Sequence, residues 1–150
     1  MPFRIRLAEL DDLQALAWLF DAYRQFYQCA PDLVAAQAWL QDNMEQERSV
    51  LLVAQDSTGT LLGFTQLYPA LCSVDLVPFY VLYDLFVDAS ARRQGVGAGL
   101  LRAAETLARQ RGMSRLDLET ARDNEAGQRL YEGLGYGRDE VFYKYSLALD

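Results

Sequence analysis

The sequence predicts a single α/β domain, and three observations support this prediction. The chain has 150 residues, of which 51% are hydrophobic, so it can bury roughly two-thirds of the surface that its unfolded form exposes. Segments of strand-like and helix-like periodicity alternate in the order β-α-α-β-β-β-α-β-α-β. A glycine-containing loop lies between a strand-like and a helix-like segment, which is the layout of an anion site. We expect residues 1–150 to form one domain.

The first half of the chain predicts one strand, two helices and a β-hairpin. Residues 3–7 alternate apolar with charged side chains, as in a half-buried strand. Apolar residues recur at spacings of three or four over 10–27, which predicts a long helix, and 32–47 is a second helical segment. Strands are expected at 50–54 and 61–68, joined by the turn residues Asp56-Ser57-Thr58-Gly59.

The second half predicts the central strand and the elements that follow it. Residues 69–78 contain Pro69 and Pro78 and are expected to form a loop. The apolar run 79–87 is typical of a central strand buried on both faces, with Asp84 as its one exception. The remaining elements are a helix that ends near Gly112, a strand at 115–120, a helix from Asp123 or Asn124 to Leu134, and a strand at 141–147.

Composition excludes several classes of function. A formal net charge of -7 argues against a general nucleic-acid binder and weakly favours a cationic substrate. The chain has no histidine, so any general base must be a carboxylate, a tyrosine or water. Cys29 and Cys72 are too few for a usual zinc site or a disulfide framework. They could form one bridge, but two buried, reduced thiols are the favoured interpretation.

The N-terminal segment does not resemble a targeting signal. The first ten residues carry Arg4, Arg6 and Glu9 and lack the apolar core of a signal peptide. No uncharged apolar run approaches the roughly 20 residues that a membrane-spanning helix needs. We therefore expect a cytoplasmic protein without a membrane partner.

The segment Arg92-Arg93-Gln94-Gly95-Val96-Gly97-Ala98 is the strongest indication of a ligand site. Glycines let the backbone approach a ligand closely, and N–H groups at a helix start attract phosphate oxygens. An ordinary strand-to-helix turn with solvated arginines is one alternative. A dinucleotide-binding loop is another, although Leu100 stands where its third glycine would fall.

Two motifs make a family resemblance specific. Arg92-x-x-Gly95-x-Gly97 resembles the coenzyme A pyrophosphate loop of the GNAT superfamily of N-acetyltransferases. The segment from Asn124 to Tyr136 resembles the later N-x-x-A-x-x-L-Y-x-x-x-G-F/Y motif of that family, with Gly127 in place of alanine. The resemblance, closest to the small-molecule amine and polyamine-type members, covers essentially the whole chain. It implies the GNAT fold, with a mixed, mainly antiparallel sheet and helices on both faces.

The resemblance also implies roles for individual residues. The cofactor-binding residues it implies are Leu85, Phe86, Val87, Arg92, Arg93, Gln94, Gly95, Val96, Gly97, Ala98, Asn124 and Tyr131. The loop amides would hold the pyrophosphate of acetyl-CoA, and the strand edge at Leu85–Val87, splayed from its neighbour, would align the pantetheine and acetyl group. A backbone N–H near Phe86 or Val87 would be an oxyanion donor. Asn124 and Tyr131 are seven residues apart and share a helix face, and Tyr131 would act as general acid.

The sequence leaves alternatives for the general base and for the acceptor site. Asp84 is the sole carboxylate of the predicted central strand, but Tyr83-Asp84 stands where similar polyamine-type enzymes commonly have Glu-Asp. Asp84 is therefore either a base acting through water or a structural residue bonded to backbone amides. Tyr80, Tyr83 and Asp75 could instead shape the acceptor pocket. The aromatic side chains of Tyr23, Phe26 and Tyr27 suit an organic cation, or pack in the core.

The implied reaction is transfer of an acetyl group from acetyl-CoA to a primary amine of a small molecule, without a metal. A neutral amine would attack the thioester carbonyl directly, giving a tetrahedral intermediate that expels the coenzyme A thiolate. The alternatives keep the fold and change the acceptor to a protein N-terminus or the donor to a longer acyl group, or retain acyl-CoA binding in a non-catalytic regulatory module. The resemblance also implies a homodimer.

Overall fold

A computed structural model describes residues 2–149, so Met1 and Asp150, the ends of the predicted domain, lie outside the described residues. The described chain divides at Leu118–Glu119 into two compact units. In chain order its elements are β1 Phe3–Leu7, α1 Leu13–Phe26, α2 Leu33–Glu45, β2 Val50–Asp56, β3 Leu61–Cys72, β4 Val77–Val87, α3 Val96–Gln110, β5 Leu116–Asp117 and α4 Glu125–Gly133. Single 3-10 turns lie at Leu10–Asp12 and Ala89–Ala91.

The sheet lies in the first unit and has the order β1-β2-β3-β4-β5. The first four strands are antiparallel neighbours in sequence order. β5 joins β4 in parallel, through the pairs Tyr80↔Leu116 and Val81↔Asp117 only. This topology confirms the predicted mixed, mainly antiparallel sheet.

Helices cover both faces of the sheet because β2 is apolar on both of its faces. Leu51 and Val53 point to one face and belong to the hydrophobic core that α1 and α2 complete, with Leu16, Phe20 and Leu40 fully or nearly fully buried. Leu52 and Ala54 alternate to the other face, where α3 packs. The residues that α3 buries are Val96, Leu100, Leu101, Ala104 and Ala108.

Capping residues mark the ends of the helices, and those predicted at Asn124 and Gly112 are confirmed. Asp32 precedes α2 and its side chain accepts a hydrogen bond from the Ala35 N–H at 3.0 Å. Asn124 does the same for α4, accepting from the Gly127 N–H at 3.1 Å. Gly112 follows α3 with φ of 74°, a left-handed conformation that favours glycine at a helix C-terminus.

The loop predicted at 69–78 is wrong, because β3 and β4 continue through most of it. Pro69 pairs with Tyr80, Pro78 pairs with Leu71, and the connection is reduced to residues 73–76. Proline lacks an N–H donor but is tolerated in strands that are paired on one side only. β3 has no β2 partner beyond Leu67, and β5 pairs with β4 only at Tyr80 and Val81, so each proline lies where its strand has no strand partner on the outer side.

β4 is not buried on both faces, which corrects a second prediction. Tyr83 is 66% exposed, whereas Asp84, the expected exception, is only 6% exposed. The register explains this inversion: Gln66 pairs with Asp84 and Leu67 with Leu82, so Tyr83 is the extra residue of a β-bulge. A bulge leaves its extra residue unpaired and shifts the alternation of the strand.

The C-terminal strand predicted at 141–147 is also wrong, since the described part of that segment is not in a strand. Alternation of apolar and polar residues suits a strand, but a strand forms only where its backbone groups find a partner. The large apolar side chains of this segment are instead between 79% and 91% exposed. They are Val141, Phe142, Tyr143, Tyr145, Leu147 and Leu149. The strand predicted at 115–120 is shortened to Leu116–Asp117.

Two further expectations concern cysteine and the membrane. Cys29 is exposed, Cys72 is half-buried, and no disulfide joins them, so the expectation of buried thiols is wrong. The Cys72 Sγ donates to Asp75 Oδ2 at 3.6 Å. Within residues 2–149, no helix is both long enough and apolar enough to cross a membrane.

Candidate active site

The loop before α3 presents backbone donors at the positive end of a helix. Arg93 and Gly95 have φ of 63° and 81°, so the chain turns through two left-handed residues before α3 begins at Val96. A Cβ added at Gly95 would meet no atom within 4 Å, so the conformation, rather than crowding, favours glycine there.

The first turn of α3 leaves its N–H groups available. The Gly99 N–H donates to the Gly95 carbonyl at 2.9 Å and closes the first turn. The N–H groups of Val96, Gly97 and Ala98 precede it and have no intrahelical acceptor. Together with the helix dipole, such donors favour an anion, as the sequence predicts for a pyrophosphate.

Arg92 connects this loop to β4. Its Nε donates to the Val87 carbonyl at 3.1 Å, and its guanidinium lies 5.6 Å from the centre of the Phe86 ring. Arg92 therefore links the end of β4 to the loop. It also adds a positive charge to the loop that precedes α3. Gln94 is exposed in the same loop.

The edge of β4 beyond the bulge has free backbone groups. The Asp88 N–H donates to the Leu62 carbonyl at 2.8 Å, which makes the adjacent Gly63↔Val87 a non-hydrogen-bonded pair of the antiparallel ladder. The N–H groups of Val87 and Leu85 consequently point away from β3. Of the described strands, only β5 flanks that side, and it pairs no further along β4 than Val81.

The two predicted oxyanion donors are therefore not equivalent. The Phe86 N–H points toward β3, where its pairing partner is Phe64. The Val87 N–H points toward the open edge. Gly63 permits this close approach of the two strands, since a Cβ there would lie 2.7 Å from the Phe86 carbonyl oxygen.

Asp84 is a buried carboxyl group held by side chains rather than by backbone amides. The Gln66 Nε2 donates to its Oδ2 at 2.8 Å. Burial raises the pKa of Asp84, while the hydrogen bond from Gln66 and the nearby Tyr23 hydroxyl, which donates to the Tyr83 carbonyl at 3.4 Å, lower it by a smaller amount. Burial also raises the pKa of Tyr23, and the nearby Asp84 charge raises it further. The arrangement can accept a proton from a ligand at a pH above the ordinary range of a carboxyl group.

Gln66 and Asn43 are site residues that the sequence analysis missed. The Gln66 Oε1 accepts from Asn43 Nδ2 at 2.9 Å and from Ser49 Oγ at 2.7 Å, so its amide group must present the NH2 to Asp84. Both residues are almost fully buried. Their signal in the sequence is an amide side chain at an otherwise apolar position of β3 and of α2.

A cavity of about 310 Å³ opens beside Asp84, between α1, α2 and the β3–β4 pair. Aromatic side chains form most of its wall: Phe20, Tyr23, Tyr27, Trp39, Tyr68 and Tyr83. Among the described residues that line it, Asp84 is the only carboxylate and Arg24 the only cation. Its composition suits an organic cation.

Only some of the residues predicted to bind the acceptor line the cavity. Tyr23, Tyr27 and Tyr83 line the cavity, whereas Phe26 is 62% exposed and does not. Tyr80 is buried, and its hydroxyl accepts from Arg111 at 3.2 Å. Asp75 lies at the β3–β4 connection, 4.0 Å from Arg115. Tyr80 and Asp75 therefore do not line this cavity.

A larger cavity has no comparable chemistry. It measures about 600 Å³ and lies between the start of β1 and the β2–β3 turn. The carboxylate of Asp56 is occupied there by hydrogen bonds from Thr58 and Thr60.

In the second unit, α4 carries Tyr131, and Asn124 is its N-cap. The Asn124 side chain caps the helix through Oδ1, and its Nδ2 donates to Thr120 Oγ1 at 2.9 Å. A Cβ on Gly127 would lie 2.9 Å from Asn124 Cγ, so the glycine that departs from the family pattern makes room for this cap. The Tyr131 ring lies 6.1 Å from the Tyr136 ring at an angle of 64°.

Metal ligands are not grouped in the described chain. Across residues 2–149, no group of three or more Cys, Asp or Glu side chains is placed to hold a metal ion.

Comparisons with known proteins agree with this geometry. The model of the acetyltransferase (GNAT) family matches residues 12–136, which extend across both units. A Bacillus subtilis (strain 168) protein named uncharacterized N-acetyltransferase YhfO is 44% identical over 143 residues, 95% of each chain. A solved structure of a probable acetyltransferase has a TM-score of 0.92 at 36% identity and covers 98% of both chains. An aminoglycoside N(6')-acetyltransferase type 1 of Klebsiella aerogenes is 36% identical over 92 residues, 59% of each chain.

The chain therefore belongs to the GNAT family of acetyltransferases, as its two motifs predicted, and it has the GNAT fold. The protein is an enzyme that transfers an acetyl group. Members of this family use acetyl-CoA as cosubstrate, and the backbone donors before α3 fit its pyrophosphate.

Proposed function

We propose that the protein transfers the acetyl group of acetyl-CoA to a primary amine of a small molecule. The observation that carries this proposal is the buried carboxyl group of Asp84 at an aromatic cavity, on the same strand that offers the open edge at Val87. The similarity to an aminoglycoside acetyltransferase, whose acceptor is a small amine-bearing molecule, supports the same choice.

The donor is proposed to bind along β4 and the start of α3. The N–H groups of residues 93–98 hold the pyrophosphate, and the free N–H groups of Leu85 and Val87 bind the pantetheine and acetyl end. Acetyl-CoA supplies a thioester, whose carbonyl accepts the amine. In this proposal the Val87 N–H, rather than that of Phe86, donates to the developing oxyanion. Asn124, at the N-cap of α4, is proposed to make a further contact with acetyl-CoA.

Asp84 is proposed to act as the general base. An ammonium group entering the cavity loses a proton to the Asp84 carboxylate, directly or through water, and the neutral amine then forms the C–N bond. The raised pKa of Asp84 brings it closer to that of the ammonium group and makes the proton transfer less uphill. Gln66 and Tyr23 keep the carboxylate oriented throughout.

Tyr131 is proposed to act as the general acid. When the C–S bond breaks, its hydroxyl donates a proton to the sulfur of the departing thiolate. The attacking nitrogen loses its extra proton as it becomes an amide, and that proton restores the Tyr131 hydroxyl through water. A tyrosine suits this role because a thiolate is basic enough to accept its proton once bulk water is excluded. The proposal includes a cytoplasmic location and a homodimer, for which the exposed apolar segment 141–149 offers a surface.

The decisive experiment measures release of free coenzyme A thiol from acetyl-CoA, with the purified protein and a panel of small amines, amino acids and peptides. We expect turnover with a small-amine class. Tyr131→Phe and Asp84→Asn should each lower kcat by roughly 10²- to 10⁴-fold, with acetyl-CoA affinity kept. Asp75→Asn is the matched carboxylate control, outside the cavity, and should behave as wild type.

Two outcomes would contradict the proposal. Unchanged turnover in Tyr131→Phe would remove that residue from the mechanism. Tight acetyl-CoA binding without turnover on any small amine would point instead to a protein acceptor, if peptides react, or to a regulatory acyl-CoA-binding module, if they do not.

A further inference from the structure

The cavity beside Asp84 differs in charge from the molecule that surrounds it. The chain has a formal net charge of -7, which attracts cations of every valence from solution. The cavity itself carries one carboxylate, Asp84, and one guanidinium, Arg24, so its formal charge is zero. The molecule as a whole therefore attracts all cations, but the cavity offers a single carboxylate to pair with a positive charge.

Asp84 has the capacity to pair with a single ammonium group. Its carboxylate already accepts from Gln66 Nε2 at 2.8 Å and interacts with the Tyr23 hydroxyl. A carboxylate has about four acceptor positions, so the remaining ones suit one amine and its neighbouring water. A second ammonium group in this cavity finds no other carboxylate, and burying an unpaired charge is costly.

The aromatic wall favours an apolar body behind that ammonium group. Tyr23 packs edge-on against Tyr27 at 5.2 Å, and Tyr68 against Tyr83 at 5.6 Å, which holds the rings at the cavity. The Trp39 Nε1 donates to the Tyr68 hydroxyl at 3.3 Å, so these polar groups satisfy one another rather than the ligand. The surface left for an acceptor is largely the ring faces and edges, which suit aliphatic or aromatic carbon.

Arg24 is the feature that acts against a second positive charge. It lies in the last turn of α1 and borders the cavity. The ion pairs found among residues 2–149 do not include Arg24, so its charge is not neutralised by a carboxylate of its own. A distal ammonium group on the acceptor would approach this guanidinium at a partly desolvated surface, where like charges repel more strongly than in bulk water.

We infer that the acceptor is a monoamine with an apolar aliphatic or aromatic body, and that Arg24 is the residue that excludes diamines and polycations. The inference rests on the proposed function and narrows it. It separates this enzyme from acceptors of the polyamine and aminoglycoside kinds, which carry several ammonium groups at neutral pH.

The test compares two acceptors of equal heavy-atom count, pentylamine and 1,4-diaminobutane, in the thiol-release assay. We expect wild type to favour pentylamine by roughly tenfold in kcat/KM at low salt. Arg24→Met should narrow that preference and Arg24→Glu should reverse it. Arg102→Met is the control, because it removes an exposed arginine of α3 that does not border the cavity, and it should keep the wild-type preference.

Binding provides a second readout that does not depend on turnover. Trp39 lines the cavity, so its fluorescence in a Trp18→Phe background should report occupancy by either amine. Tighter binding of the monoamine, with loss of that preference in Arg24→Glu, would support the inference even if catalysis failed and the proposed function with it. Equal or tighter binding of 1,4-diaminobutane by wild type would overturn the inference, and an unchanged preference in both Arg24 variants would overturn the role of Arg24.

Discussion

Asp84 determines much of the chemistry at the scale of single residues. Its carboxyl group is buried in a strand and is approached by two donors, Gln66 and Tyr23. Burial disfavours the charged form more than these donors favour it, so the pKa of Asp84 is raised. The Asp84 carboxyl group is therefore suited to proton exchange. Its ionisation at high pH lowers the stability of the fold, because the charged form is buried.

That cost can be measured as a pH-dependent difference in stability. Because the pKa of Asp84 is higher in the folded protein than its ordinary value of about 3.9, the stability that its protonated form contributes is complete below about pH 3.9. It is lost as the pH rises through the folded pKa. Asp84→Asn lacks this loss, so its melting temperature relative to wild type should be higher at about pH 8 than at about pH 4.

Thermal unfolding followed by circular dichroism at several pH values checks this expectation. Asp75→Asn provides the comparison, because the Asp75 side chain is 64% exposed and its relative melting temperature should not follow the same trend. A relative stability of Asp84→Asn that is constant or falls with pH would show that Asp84 is not the buried acid described here.

Single residues also show which kinds of site residue a sequence can indicate. Gly95, Gly97, Asn124 and Tyr131 are predicted from the two motifs that resemble those of the family, because the residues of each motif stand at fixed intervals along the chain. Gln66 and Arg24 are not found, because their roles depend on a partner that is distant in sequence. Gln66 contacts Asp84 across 18 residues, and Arg24 and Tyr68 meet only at the cavity.

At the scale of elements, the pairing of β3 with β4 places the site. Gly63 lets the two strands approach, and a methyl group there would meet the Phe86 carbonyl oxygen at 2.7 Å and Val87 Cα at 3.3 Å. These are backbone atoms and cannot rotate away. Any added side chain must push β4 from β3 at the residues proposed to align the donor.

Gly63→Ala should therefore lower the free energy of unfolding by about 1–3 kcal/mol. It should also weaken acetyl-CoA binding, measured by calorimetry. Gly133→Ala is the matched control: it lies in α4, where an added Cβ meets nothing within 4 Å. That variant should be neutral or more stable by about 0.4–1 kcal/mol. A Gly63→Ala protein as stable as Gly133→Ala would show that the strands tolerate separation.

Elements were predictable where the chain's own periodicity determines them. α1, α2 and α3 follow from apolar spacing and capping residues, which are local properties. The ribbon through Pro69 and Pro78 was missed because proline predicts a break unless the outer neighbour of the strand is known to be absent. The strand at 141–147 was overpredicted for the converse reason, since alternation cannot guarantee a pairing partner.

At the scale of the whole molecule, the exposed segment 141–149 predicts self-association. Six large apolar side chains at 79% to 91% exposure form a surface that isolated soluble proteins rarely carry. We expect wild type to sediment as a homodimer. The variant with both Phe142→Lys and Tyr145→Lys should shift toward the monomer, since the added charges disfavour apolar contact.

Analytical ultracentrifugation checks this expectation at several protein concentrations. The control carries the same added charge at exposed polar positions, Ser57→Lys and Gln110→Lys, and should remain a dimer. A wild-type protein that is monomeric at all concentrations would contradict the homodimer, and a dimer retained in the Phe142 and Tyr145 variant would place the interface elsewhere.

The β-bulge at Tyr83 brings two consecutive side chains of β4 to the same cavity. Tyr83 and Asp84 both border it, although successive side chains of a regular strand point to opposite faces. Deleting Tyr83 would leave Gln66↔Asp84 and Leu67↔Leu82 as consecutive pairs of a regular ladder. The N–H groups of Leu85 and Val87 would keep their direction, while the cavity would lose one aromatic wall. The bulge is thus a place where the acceptor preference of this enzyme can diverge while the donor edge stays in register.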